Sequence, residues 1–214
     1  MLKLFGRRNA YNVQKVLWTL AELELSYEHI EIGSLAGELD TTEFLALNPH
    51  ARIPVLIDAE AVVWESNTIV RYLCAQYDAG KLWPESAMLR SLAERWMDWE
   101  LATLQDDFIR LFWCYYRTPE QKRDQAAIAQ SLARCEQHYQ KLESHLANQP
   151  YLAGKDFGMG DIACAVSLHR YLHMGLEVVR PQNVVAWYER LTRRPAFVKH
   201  VAIPFEELRG RIEF

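Results

Sequence analysis

The feature that most constrains this chain is how often its hydrophobic period switches within the first eighty residues. Residues 1–5 form a short apolar strand candidate ended by Gly6. Residues 12–24 then carry Val13, Val16, Leu17, Leu20 and Leu23 on one helical face, after which Ile30 and Ile32 alternate with His29 and Glu31. A strand, a helix and a strand packed this closely make a βαβ unit, whose strands pair in parallel through a right-handed crossover. A short helix over residues 41–47 is stopped by Asn48-Pro49. Pro54-Val55-Leu56-Ile57 and Ala61-Val62-Val63-Trp64, separated by Asp58-Ala59-Glu60, read as an antiparallel hairpin, and residues 65–77 as a helix.

The order β-α-β-α-β-β-α predicts a thioredoxin-like layer, a four-strand mixed sheet with helices on both faces. Beyond about Glu85 the chain reads as helix alone. The expected organisation is therefore an α/β thioredoxin-like N-terminal domain over residues 1–78, a linker over 79–86 holding Gly80 and Pro84, and an all-α C-terminal domain over 87–214. Leu89, Leu92, Trp96 and Trp99 recur at helical spacing and predict a long helix to about Arg117. Thr118-Pro119-Glu120 looks like the start of the next, with Ile128, Leu132, Cys135, Tyr139, Leu142 and Leu146 as its seam. Asn148-Gln149-Pro150 ends it, and shorter helices follow near residues 161–173, 181–192 and 195–201.

Charge and composition narrow the function. Lys plus Arg number 24 against 28 Asp plus Glu, a net charge of −4, so the basic excess that nucleic acid or an anionic membrane requires is missing. The longest apolar run, residues 111–116, falls far short of the ~20 needed to span a bilayer. The opening MLKLFGRRNA has no secretory pattern, which sets the expectation of a cytoplasmic protein acting on small molecules. Cys74, Cys114, Cys135 and Cys164 are widely spaced among apolar neighbours and read as reduced core thiols. The 7 Trp, 10 Tyr and 8 Phe fit a large core, a dimer interface or an apolar pocket equally well.

Four motifs in order carry a family resemblance over nearly the whole chain. They are Leu4-Phe5-Gly6-Arg7-Arg8 with Asn12-Val13-Gln14-Lys15-Val16; Asn48-Pro49 with Arg52-Ile53-Pro54-Val55-Leu56; Glu65-Ser66-Asn67-Thr68-Ile69-Val70-Arg71-Tyr72-Leu73; and Phe157-Gly158-Met159-Gly160-Asp161-Ile162-Ala163. Together they resemble the theta-like and nu-like bacterial glutathione S-transferases. The resemblance implies a cytosolic homodimeric enzyme of detoxification that uses glutathione as co-substrate and needs no metal.

Several residues can be read both ways. Ser66, at a strand–helix junction, offers a hydroxyl and a backbone N–H where the helix dipole is positive, which suits a carboxylate, while Glu65 suits an ammonium. The pair matches the amino-acid head of the γ-glutamyl group; it also reads as a plain N-cap serine beside a solvated glutamate. The resemblance implies a cis Ile53-Pro54 bond, with the Ile53 backbone pairing the cysteinyl part of glutathione like an added strand. Arg52 or His50 then takes the glycine carboxylate, since Leu39 is apolar where a polar group is often found. The serine that donates to the thiol in theta-like enzymes aligns with Ala10, so the expected donor is Asn12, which also satisfies an N-cap role, with Tyr11 as alternative. Arg110 and Trp113, late on the long helix, are expected to face the electrophile or else to belong to the core.

Asp161 is expected to serve folding, with Phe157 stapled against Ile162, and Asp106-Asp107 to form a solvated face. His169, His173 and Glu177 have the spacing of a metal site but read as ordinary core or surface residues. Arg71, Trp96 and Trp99 are candidates for contact with a partner chain. Two other readings remain beside conjugation: glutathione-dependent disulfide exchange, and a non-catalytic binding protein or scaffold of the same fold.

Overall fold

The computed structural model describes residues 1–34, 37–78 and 80–212. Ala79, the first residue of the expected linker, and Glu213 and Phe214 at the end of the C-terminal segment lie outside them. The sheet has the order β2-β1-β3-β4, from β1 (Leu2–Phe5), β2 (Tyr27–Ile30), β3 (Val55–Asp58) and β4 (Ala61–Trp64). β1 and β2 run parallel through α1 (Tyr11–Glu22), and β3 lies antiparallel to both β1 and β4. The second strand ends at Ile30 rather than continuing through Ile32: the Gly6 N–H bonds Ile30 O, and Arg7 donates to Gly33 O as the chain turns away. A short α2 (Thr42–Leu47), capped by the Thr41 hydroxyl, and α3 (Ser66–Tyr77) complete this layer.

α1 is buried around almost its whole circumference. Val13, Val16, Leu17 and Leu20 join Leu4, Leu56, Ile69 and Leu73 in the core between sheet and helices. The opposite side faces the helical half, where Trp18 packs on Phe157 and Phe197 with ring centroids 5.4 and 4.9 Å apart. Gln14 and Lys15 on that side are therefore buried too, and each finds a partner. Arg170 reaches Gln14 Oε1 at 3.1 Å, and the Lys15 ammonium, 0% exposed, lies 2.8 Å from the equally buried Glu100 carboxylate.

The long helix begins as α4 (Ala87–Trp99), widens to i→i+5 turns over Glu100–Leu104, returns to regular geometry as α5 (Gln105–Leu111) and widens again over Phe112–Arg117. Its buried seam is Ala93, Met97, Glu100, Leu104, Phe108 and Leu111, one position off the expected stripe, and Leu89 is exposed. The cause is a close approach by α7 (Met159–His173): a Cβ added to Gly160 would stand 3.1 Å from Ala93 O, so small residues set the contact line. Trp96 and Trp99 pack on His145 and His138, and Arg71 pairs with Glu94 and Asp98 of its own chain.

The next helix, α6 (Gln125–Leu146), starts later than Pro119 suggests. Residues Glu120–Lys122 form one tight turn, and Asp124 then accepts the N–H groups of Ala126 and Ala127. α8 (Gln182–Leu191) and α9 (Pro195–His200) close the helical half. Asp161 accepts from Leu152 N, Gly158 N and Trp187 Nε1, tying three segments together, while Phe157 packs on Trp18 and Tyr151. His169 and His173 both meet the Tyr188 hydroxyl, at 2.9 and 3.0 Å. No helix among the described residues is long and apolar enough to cross a membrane.

Removing one member of a buried ion pair leaves the other charge uncompensated, at a cost of about 3–5 kcal/mol. Lys15→Met is accordingly expected to lower the denaturant midpoint sharply, and Lys15→Met/Glu100→Met to be more stable than the single variant. A single variant as stable as the parent chain would contradict the burial of this pair.

Candidate active site

Two connected cavities open where the sheet layer meets the long helix. The narrower, about 210 Å3, is bounded by Asn48, Pro54, Glu65, Ser66 and Gln105. The wider, about 560 Å3, has Arg7, Ala10 and Tyr11 on one side, Gly33, Leu39 and Asp40 on another, and Ile109, Trp113 and Ile212 opposite. Asn12, Arg52 and Ile53 line both.

The narrow cavity is built from two helix ends that lack side-chain caps. Ala10 is the N-cap residue of α1 and has no hydroxyl to offer, so the first-turn N–H groups, including that of Asn12, keep their donor capacity. Asn12 thus sits in the first turn rather than at the cap. Its Oδ1 is buried without a hydrogen-bond partner, and its amide NH2 makes no bond to the chain either. The N-cap residue of α3 is Glu65, not Ser66. Glu65 holds φ 69°, a left-handed conformation that costs a non-glycine residue about 1–3 kcal/mol and that concentrates at functional sites. Ser66 follows, buried, its hydroxyl making no bond within the chain.

The third side is the loop before β3. Asn48, itself buried, donates to Arg52 O at 2.9 Å and accepts from His50 N at 3.1 Å, which fixes the loop. The Ile53-Pro54 bond is cis, as the resemblance implied. Arg52 is exposed at the junction of both cavities, whereas His50 packs its ring on Trp64 and lies outside their lining.

The alternative donor, Tyr11, is engaged elsewhere. Its hydroxyl donates to Glu100 at 2.5 Å, and burial, reinforced by that carboxylate, holds its pKa well above that of an ordinary phenol. Arg110 is exposed and lies outside the cavity lining; Ile109, one residue earlier, shares the wall with Trp113. Ile109 and Trp113 are four residues apart and share one face of the helix, and Arg110 is turned ~100° from Ile109.

Sequence patterns did not single out Glu100, Gln105, Ile109 or Ile212 for this site. Only the arrival of the long helix and of the C-terminal segment at the cleft selects them. The setting is electropositive. Arg7, Arg117 and Arg170 border a third space of about 110 Å3 beside Phe108 and Phe112. Burial, with repulsion from the other guanidinium groups, pushes Arg117 and Arg170 down to about 10. Such a field favours an anion in the adjoining cavities.

Comparison with known proteins follows the same lines. Residues 1–75 match the family model for the glutathione S-transferase N-terminal domain and residues 125–190 that for the C-terminal domain. Glutathione S-transferase GstB of Escherichia coli K12 is 44% identical over 206 residues, spanning 95% of this chain and 99% of the relative. Glutathione S-transferase 3 of Zea mays is 34% identical, over 94% and 93% of the two chains. Among solved structures, the theta class glutathione S-transferase of Xanthomonas axonopodis pv. citri with glutathione bound superposes with a TM-score of 0.91 at 42% identity, covering 95% of this chain and 98% of that one.

None of the four cysteines lines either cavity. Cys74, Cys135 and Cys164 are buried, and burial raises their thiols, that of Cys135 to about 12; Cys114 is half-exposed. An aromatic disulfide reagent is therefore expected to titrate one thiol in the native chain and all four after unfolding. Rapid labelling of two or more native thiols would contradict the packing.

Proposed function

The chain belongs to the glutathione S-transferase family, and from that premise we propose that it binds glutathione in the narrow cavity and ionises its thiol beside Asn12. The γ-glutamyl head lies on the N-terminus of α3, its carboxylate at Ser66 and its ammonium at Glu65. The cysteinyl backbone runs along Ile53 and Pro54, and Arg52 attends the glycine carboxylate. The sulfur then faces the wider cavity, where a small, mainly apolar electrophile rests against Ile109 and Trp113. The thiolate attacks the electrophilic carbon, an S–C bond forms, and the displaced electron pair leaves with the leaving group or moves onto the acceptor.

One observation carries this reading: the half-buried amide of Asn12, its oxygen buried and unpartnered and its NH2 unbonded within the chain, at an uncapped helix N-terminus on the boundary between the two cavities. The magnitudes suffice. Lowering a thiol pKa of ~8.5 by two units takes ~2.7 kcal/mol. A hydrogen bond to a charged group contributes about 1.5–3 kcal/mol, and the helix end adds about 0.3–1 kcal/mol.

A second reading, glutathione-dependent disulfide exchange, is favoured by Ala10, which removes the hydroxyl found in theta-like enzymes. Since no cysteine of the chain reaches the cavities, the thiolate would then attack a sulfur of a glutathione disulfide and release the other half as thiolate. The same family premise supports a cytosolic homodimer in which exposed Val62, Met88 and Leu89 are covered by a second copy. Sedimentation is expected to show a particle of twice the chain's mass; a monomer at micromolar concentration would refute the dimer.

The deciding experiment is a pH titration of the ultraviolet thiolate absorbance of bound glutathione, with Asn12→Ala alongside. The bound thiol is expected to ionise below its free pKa. In Asn12→Ala that pKa should rise by about one to two units, the equivalent of one lost charge-assisted hydrogen bond. No binding at millimolar glutathione would sink the transferase reading and favour the scaffold. Binding with the same pKa in both proteins would remove Asn12 from the chemistry.

A further inference from the structure

We infer that Gln105 is a donor to the γ-glutamyl carboxylate, and that the buried Lys15–Glu100 pair is what aims it; the inference rests on the glutathione reading above. Lys15 follows Asn12 by three residues on α1, and its ammonium lies 2.8 Å from Glu100 Oε2 and 3.3 Å from Gln105 Oε1. An ammonium can only donate. The end of the Gln105 amide that faces it must therefore be the oxygen, which turns the NH2 the other way. That side is the narrow cavity, which Gln105 lines together with Glu65 and Ser66, and the NH2 makes no hydrogen bond to the chain.

The widened turn makes this possible. In a regular helix, residues five apart point ~140° away from each other. Over Glu100–Leu104 the ladder runs i→i+5, with the Gln105 N–H bonded to Glu100 O, and both side chains reach Lys15. Gln105 lines only the narrow cavity, not the wider one where the electrophile rests. It therefore acts on the tripeptide rather than on the second substrate. A neutral amide suits the place, since it donates to a carboxylate without adding a cation beside Glu65. Lys15 touches no ligand and is a positioning residue.

The test compares Gln105→Leu, similar in volume but without a donor, with the parent chain, using glutathione and cysteinylglycine, which lacks the γ-glutamyl group. For Gln105→Leu, the dissociation constant and KM for glutathione are expected to rise ~10–100-fold. The loss should fall on KM rather than on kcat. The pKa of the bound thiol should stay put, and the weaker binding of cysteinylglycine should be the same in both proteins. Lys15→Met/Glu100→Met should weaken glutathione comparably, and adding Gln105→Leu to it should cost nothing further, because both act through one contact. Unchanged glutathione affinity in Gln105→Leu overturns the inference, as does equal weakening of cysteinylglycine or a raised thiol pKa at unchanged affinity. Failure of the parent chain to bind glutathione overturns the underlying reading and this inference with it, a result distinct from binding that ignores Gln105.

Discussion

Lys15 lies on a helix that serves two cores at once, and its charge has no route to water. A buried ion pair is a weak source of stability but a strict locator, because each charge is tolerable only where the other stands. Glu100 must come to Lys15, and the long helix is thereby set against α1 at one height and one rotation. Tyr11, Gln105, Ile109 and Trp113 take their places from that alignment. The Tyr11 hydroxyl completes the carboxylate's hydrogen bonding and so lies beneath the cleft instead of inside it.

The cleft is bounded by two helix N-termini that lack side-chain caps. A side-chain cap is worth about 1 kcal/mol to a helix, yet α1 begins at Ala10 and α3 at Glu65, neither of which caps by its side chain. The freed N–H groups point where an anion would sit, and guanidinium groups add to the same field. Stability is supplied elsewhere: Thr41, Asp124 and Asp161 accept the first-turn N–H groups of helices or hold segments together away from the site. Of the described α-helices, α2 and α6 carry a side-chain N-cap bond, and the two whose first turns border the cleft do not.

The sequence made the sheet layer legible because its period changes are sharp and its punctuation is chemical: Gly6, Asn48-Pro49 and the Asp58-Ala59-Glu60 turn separate elements found nearly where expected. Asn12, Ile53, Pro54, Glu65 and Ser66 were legible for the same reason, each lying at an element's end. The rest depends on tertiary contact. Lys15 and Glu100 are charged residues on otherwise amphipathic helices and look like surface positions until the two helices meet. Arg110 and Ile109 stand three and four residues before Trp113, spacings that both fall on one helix face, so the sequence alone does not choose between them. Pro119 signals a first turn, but the carboxylate of Asp124 accepts two N–H groups five residues on, and α6 begins there.

The widened turns also bear on how such a cleft can change over generations. Each holds about one residue more than a regular turn, so losing a single residue between Glu100 and Leu104 would restore regular geometry and leave the helix beyond it in nearly the same rotation. Ile109 and Trp113 would keep their places on the cavity wall, and only the side chains within the turn would be redistributed. Insertion and deletion at this spot can therefore change the anchoring to Lys15 in a single mutational event, while the cavity wall, the sheet, Asn12 and the two open helix ends stay as they are.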